Sequence, residues 1–115
     1  MIDLVSFAKA NYPAKHYMLL LTGHGSGWVD FSPQPERRKG ISFNGETNNH
    51  IRTTQLHDIL QAVGYIDVLY LHACLMQMAE VVHEVKDNLG VLVASEETMS
   101  DLGFDYDASA ILYSK

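Results

Sequence analysis

Two short clusters hold the residue types that covalent chemistry needs. One is Thr22-Gly23-His24-Gly25-Ser26-Gly27-Trp28, an imidazole set among glycines. The other is His72-Ala73-Cys74-Leu75-Met76, which carries the single cysteine of the 115 residues. A thiolate attacks carbonyl carbon readily, and an imidazole supplies both the base that forms it and the acid that protonates a leaving group. If a helix starts at Cys74, its unpaired N–H groups and its dipole favour the thiolate, and the Cys74 N–H becomes an oxyanion donor. Gly25, lacking a side chain, can bring a second N–H against the same oxyanion. On residue types alone a bland reading stands beside this one: a buried thiol is inert in most proteins, and a histidine in a glycine-rich loop is often structural.

The elements around the clusters decide how the two readings weigh. Tyr17–Leu21, Ile66–Leu71 and Val91–Ala94 are apolar runs without polar alternation, the pattern of parallel strands covered by helices on both faces. Ser6 to Asn11 belongs to a first helix that stops before Pro13. Thr53 or Thr54 is a plausible N-cap for a helix burying Leu56, Ile59, Leu60 and Val63, ended by Gly64. Leu75, Met78, Ala79, Val82, Val85 and Leu89 recur at helical spacing and are followed by Gly90, which predicts a long helix running straight on from Cys74. Alternating helices and strands make an α/β layered domain with right-handed crossovers. In such sheets ligands bind beyond the carboxyl ends of the strands. Both clusters fall there, one after the first strand and one after the second, which is what raises the catalytic reading. The stretch from Gly25 to Arg52, with Pro33, Pro35, Gly40 and Gly45, reads mostly as loop.

Composition narrows the function classes. The chain is 47% apolar and 19% charged, with no repeat or low-complexity segment, so one packed domain spanning residues 1–115 is expected. Eight Lys and Arg against 14 Asp and Glu give a net charge of −6, which argues against nucleic acid or an anionic membrane as partner. One cysteine excludes an internal disulfide and a multi-cysteine metal site. The N-terminus has no basic n-region followed by an apolar h-region, and no apolar run approaches the roughly 20 residues of a membrane span. A soluble protein without a signal peptide in this chain is expected, with its compartment open.

Three stretches carry a family resemblance. YMLLLTGHGSGW resembles the strand and His-Gly motif of clostripain-like cysteine peptidases. KGISFNGETNNHIRTTQLHDIL is similar to their linking segment and helix. DVLYLHACLMQMAEVVHEVKDNLGVLVASEETMSDLGFDY resembles their nucleophile block, in which an apolar strand leads to Asp-Ala-Cys-Leu-Met, then to Ala-Ser-Glu-Glu and a Gly-aromatic-x-Tyr ending. ACLM with the downstream ASEE is a distinctive combination, whereas HGSGW alone is not. The resemblance implies a caspase-haemoglobinase-like fold: a three-layer α/β/α sandwich on a mainly parallel sheet. It implies endopeptidase action on peptide or protein substrates, with His24 and Cys74 catalytic and the Gly25 and Cys74 N–H groups as oxyanion hole. It further implies that no third triad member is needed. Nothing in the residues requires a cofactor; calcium dependence comes with the resemblance only, and no EF-hand pattern is present.

The sequence departs from the family in two ways. Where the family has Asp two residues before the nucleophile, helping an acidic S1 pocket bind Arg or Lys, this chain has His72. An imidazole cannot replace a carboxylate's attraction for guanidinium, so a basic preference would have to come from Asp101, Asp105 or Asp107. Family members also extend beyond both ends of the matched region. That leads to the expectation of a catalytic core cut from a longer protein, or a shortened relative, completed by flanking segments or another chain. Glu96 and Glu97, after the third strand, read as a solvated loop, with substrate contact as the alternative that the resemblance supports for Glu96, while Glu80 reads as structural. Arg37-Arg38-Lys39 is most simply an exposed basic patch; the alternative, which the resemblance implies, is a maturation site between His and Cys. His16, His50, His57 and His83 lack metal-ligand spacing. An α/β-hydrolase esterase is the first rival, since HGSGW also resembles an oxyanion motif, but no serine sits in a G-x-S-x-G elbow. A degenerate relative that binds or scaffolds without cleaving is the second.

Overall fold

The computed structural model describes residues 1–28, 40–43, 46–47 and 49–99. The elements are α1 (Ile2–Asn11), β1 (Met18–Thr22), β2 (Gly40–Ile41), β3 (Ile51–Arg52), α2 (Thr53–Val63), β4 (Ile66–His72), α3 (Ala79–Val85) and β5 (Leu89–Val93), with a short 3-10 turn at Lys86–Asn88 before β5. Each apolar run forms a strand with ends within two residues of the predicted ones. The main sheet has the order β1-β4-β5 and is parallel throughout.

The register sorts the apolar side chains. Leu19 lies beside Leu69 and Leu69 beside Leu92, with Leu21 beside Leu71. Because strand residues alternate between faces, these share one face, and it is packed under Leu56, Leu60 and Val63 of α2 and Val81 and Val85 of α3. The chain steps from β1 to β4 to β5 in one direction, and two crossovers of the same hand then put both helices on the same side. Helix α2 touches both α3 and α1. The opposite face carries Met18 beside Val68 and Val91, and Leu20 beside Tyr70. There Met18 is 53%, Leu20 40% and Val91 53% exposed, so the described residues supply one helical layer and leave this apolar face uncovered.

Three local expectations are corrected. The long helix predicted from Cys74 does not start there: residues 73–78 are turns, and α3 runs only from Ala79 to Val85, burying Val81 and Val85. Leu75 sits at φ 61, which breaks a right-handed helix. The N–H groups of Leu75 and Gln77 are drawn to the carbonyls of Glu97 and Ser95 instead. Gly90 does not end a helix but lies in β5, where a Cβ would meet the Tyr65 hydroxyl at 2.6 Å and the Asp67 carbonyl at 2.8 Å. The N-cap of α2 is Arg52, not Thr53 or Thr54; the Arg52 N–H donates to Gln55 Oε1 at 3.0 Å. Gly64 does close that helix. Within the predicted loop, β2 and β3 form a small antiparallel ladder, and Ile41 is fully buried.

Candidate active site

Thr22 pairs with His72 at the ends of β1 and β4, so both clusters leave the sheet side by side. The Gly23 N–H donates to the His72 carbonyl at 3.3 Å, carrying the pairing one step past the strand. Beyond it the backbones meet. A Cβ on Gly25 would lie 2.5 Å from the Cys74 carbonyl oxygen and 2.8 Å from Ala73 Cβ. Only glycine allows this approach. Gly27, at φ 56, lies against Leu75 and Met78 in the same way.

The His24 loop is held from outside by the β2–β3 ladder. The Ser42 N–H donates to the His24 carbonyl at 2.9 Å, and the Ser26 N–H donates to the Gly40 carbonyl at 3.0 Å. Ser42 Oγ donates to the Thr22 carbonyl at 3.1 Å, and the Gly40 N–H to Ser26 Oγ at 3.3 Å. Gly25 bridges Ile41, but the ladder bonds run through its two neighbours. In an antiparallel pairing the N–H of such a residue points away from the ladder, so the Gly25 N–H is left for another acceptor.

The Cys74 loop is held by the chain after β5. The Leu75 N–H donates to the Glu97 carbonyl at 3.1 Å and the Gln77 N–H to the Ser95 carbonyl at 3.0 Å. The Gln77 side chain accepts from the Ala94 N–H at 2.7 Å. The half-buried, unbridged Cys74 thiol accepts from the Met99 N–H at 3.2 Å. With α3 starting at Ala79, Cys74 stands before that helix and not in its first turn, and among the described residues the Met99 amide is the hydrogen-bond donor at its sulfur. Among the described residues the N–H of Cys74 has no backbone partner.

The remaining candidates are spread more widely. His72 ends β4, half-buried, with its ring 6.2 Å from that of Tyr70. Glu96 is exposed in the turn whose next carbonyl anchors Leu75. Asp101, Asp105 and Asp107, and Arg37, Arg38 and Lys39, lie outside the described residues. A cavity of about 400 Å³ between Trp28 and Ala79, Glu80, His83 and Glu84 of α3 borders the His24 loop without including His24 or Cys74. Among the described residues no three His, Cys, Asp or Glu side chains are grouped so that they could hold a metal ion. Nor is any helix among them long and apolar enough to cross a membrane. Sequence reasoning missed Met99, Gln77, Ser42 and the Gly27 partner Thr53. The one signal for the first two was the ASEE stretch, read for its carboxylates when its main chain does the holding.

A model of the clostripain family matches residues 1–115. Clostripain of Hathewaya histolytica is 30% identical over 115 aligned residues, covering 90% of this chain and 22% of that protein. A secreted C11 cysteine protease of Bacteroides thetaiotaomicron, solved with an irreversible peptide inhibitor, superposes with a TM-score of 0.76 at 22% identity, over 99% of this chain and 33% of that one. An inactive zymogen C11 protease of Parabacteroides distasonis gives a TM-score of 0.63 at 23% identity, over 90% of this chain and 27% of that one. The chain therefore spans 22% to 33% of these relatives. Its mainly parallel α/β architecture is that of the solved C11 proteases, as the caspase-haemoglobinase-like expectation had it.

Proposed function

The chain belongs to the clostripain family, and we propose that it carries the catalytic pair of a cysteine endopeptidase in His24 and Cys74. The observation that supports this most is the close approach of Gly25 to the Cys74 carbonyl, which sets the two clusters against each other beyond adjacent strand ends. In the proposed reaction His24 takes the thiol proton and Sγ attacks the scissile carbonyl carbon. The N–H groups of Gly25 and Cys74 receive the oxyanion. Collapse expels the amine, protonated by His24, and leaves an acyl-enzyme. Water activated by His24 then attacks the thioester, and the thiol leaves with its proton restored. Substrates are peptides or proteins, and preference at P1 turns on His72, Glu96, Asp101 and Asp105. Cleavage at Arg37, Arg38 or Lys39 matures the chain, and flanking segments or another chain complete the sheet.

A rival reading, a degenerate relative that binds or scaffolds, draws on the fraction of the relatives spanned and on the uncovered face of Met18, Leu20 and Val91. A panel of fluorogenic peptides assayed with wild type and Cys74→Ala separates the two. Cleavage abolished by Cys74→Ala is the expected result, and equal rates for both proteins, zero included, favour the rival.

A further inference from the structure

We propose that Thr53 is a positioning residue that holds the His24–Gly25 loop in its reactive placement against Cys74; this rests on the dyad reading above. Thr53 is 1% exposed and is the one buried polar residue among the described residues. Thr53 follows the Arg52 N-cap as the first residue of α2, and its hydroxyl donates to the Gly27 carbonyl at 3.1 Å, across 26 residues of chain. Valine has a similar shape but no hydroxyl, so what sets threonine apart at this buried position is the hydrogen bond it makes.

That bond closes a ring. Gly25 bridges Ile41, Ile41 pairs with Ile51, and Ile51 leads through Arg52 to Thr53. Thr53 then returns to Gly27, two residues from the start. Within the ring, the link from α2 to the His24 loop is a single side-chain hydrogen bond. Gly27 also lies against Leu75 and Met78, so the peptide that Thr53 holds is the one wedged against the Cys74 loop. Release of the Gly27 carbonyl loosens the loop beyond Ser26, while the ladder bonds at His24 and Ser26 stay. The Gly25–Gly27 stretch then seats less firmly against the Cys74 loop, and displacements of about 1 Å weaken catalysis by large factors.

The test compares Thr53→Val, which removes the hydroxyl, with Thr53→Ser, which keeps it. Leu60→Val, in the core under the same helix, controls for lost stability. We expect Thr53→Val to lower kcat about tenfold or more with KM within about twofold, and Thr53→Ser to stay within about twofold of wild type. The pH profile of Cys74 alkylation by iodoacetamide should shift in Thr53→Val but not in Thr53→Ser or Leu60→Val. That second readout needs no peptide cleavage. If His24→Ala shifts the profile and Thr53→Val does not, Thr53 falls and the dyad stands; if His24→Ala shifts nothing, the dyad falls. A serine variant as impaired as valine, or an equal kcat loss in Leu60→Val, overturns the proposal. Should Thr53→Val not fold, Thr53→Ala is read the same way, and failure of both makes Thr53 structural and ends the proposal.

Discussion

The two loops that face each other at the candidate site are built on opposite plans. The His24 loop is held by residues that lie between the two clusters in sequence: Gly40, Ser42 and Thr53. The Cys74 loop is held by residues after β5: Ala94, Ser95, Glu97 and Met99. The first plan uses a short ladder and one buried hydroxyl. The second uses a run of main-chain carbonyls and amides, with the Gln77 and Cys74 side chains accepting from the Ala94 and Met99 amides. The difference teaches that the site is a meeting of two separately braced backbones, and that their contact at Gly25 is where a small change has the largest effect.

That contact gives the strongest way to break the comparison. Gly25→Ala places a methyl 2.5 Å from the Cys74 carbonyl oxygen, so one backbone has to retreat. We expect kcat/KM to fall about 100-fold, with stability lower by about 1–3 kcal/mol from overpacking. Peptide kinetics and a denaturant midpoint measure both, and near-wild-type activity would show that the loops are not in working contact. A step smaller is His72→Asp, at the seam where β4 enters the Cys74 loop. It should raise the Arg or Lys preference at P1 about tenfold by supplying a carboxylate. If Asp105 supplies that charge instead, Asp105→Asn abolishes the preference and His72→Asp changes little, so a P1 profile of both variants distinguishes them.

Gln77→Leu tests the Cys74 brace alone. It leaves the half-buried Ala94 N–H without its acceptor at 2.7 Å, a loss of about 1–3 kcal/mol in a urea titration. Cys74 alkylation should change with it, while hydrogen exchange at Ser26 and Ser42 stays as in wild type; exchange that quickens in both loops would mean they are one unit. The smallest effect is expected farthest from the site. Asp67 accepts hydrogen bonds from His16 and from the Tyr17 N–H, each at 2.8 Å, at the other end of the sheet. The His16 hydrogen bond first, then the Tyr17 amide, holds its carboxyl below the ordinary 3.8. A carboxyl lowered on folding stabilises the native state above that ordinary value and loses the contribution as pH falls through its still lower folded value. Asp67→Asn should therefore flatten the acid limb of stability below about pH 4 and leave cleavage at pH 7 unchanged, as measured by thermal melts across pH.

Much of this architecture was readable from residue patterns. Unbroken apolar runs marked β1, β4 and β5 because both faces of these strands carry apolar side chains, one packed under α2 and α3 and the other exposed among the described residues at Met18, Leu20 and Val91. Gly64 marked the end of α2. The two clusters were found because reactive residue types fell just after strand ends. The reading failed where tertiary bonds outweighed local preference. Leu75 to Leu89 has helical spacing, but the carbonyls of Ser95 and Glu97 take the amides that a first turn would leave unpaired, and Leu75 turns left-handed. Thr53 looked like a cap because threonine favours that position, and its partner 26 residues away leaves no local trace. The acidic pair of ASEE drew attention to side chains, whereas the carbonyl of Glu97 and the hydroxyl of Ser95 organise the turn.

The Met99 amide on the Cys74 sulfur has a consequence in time. The two groups are 25 residues apart, and the whole of α3 and β5 lies between them. Closing a loop of that length follows the formation of local turns and helices, because its entropy is lost before the contact forms. A nascent chain that has exposed Cys74 to solvent but not yet released residues 94–99 has no brace for the thiol's loop. Its sulfur is reactive without being positioned. The thiol thus passes from an unguarded to a guarded state late in folding, and pulsed alkylation during refolding would read that passage as a clock for the arrival of β5.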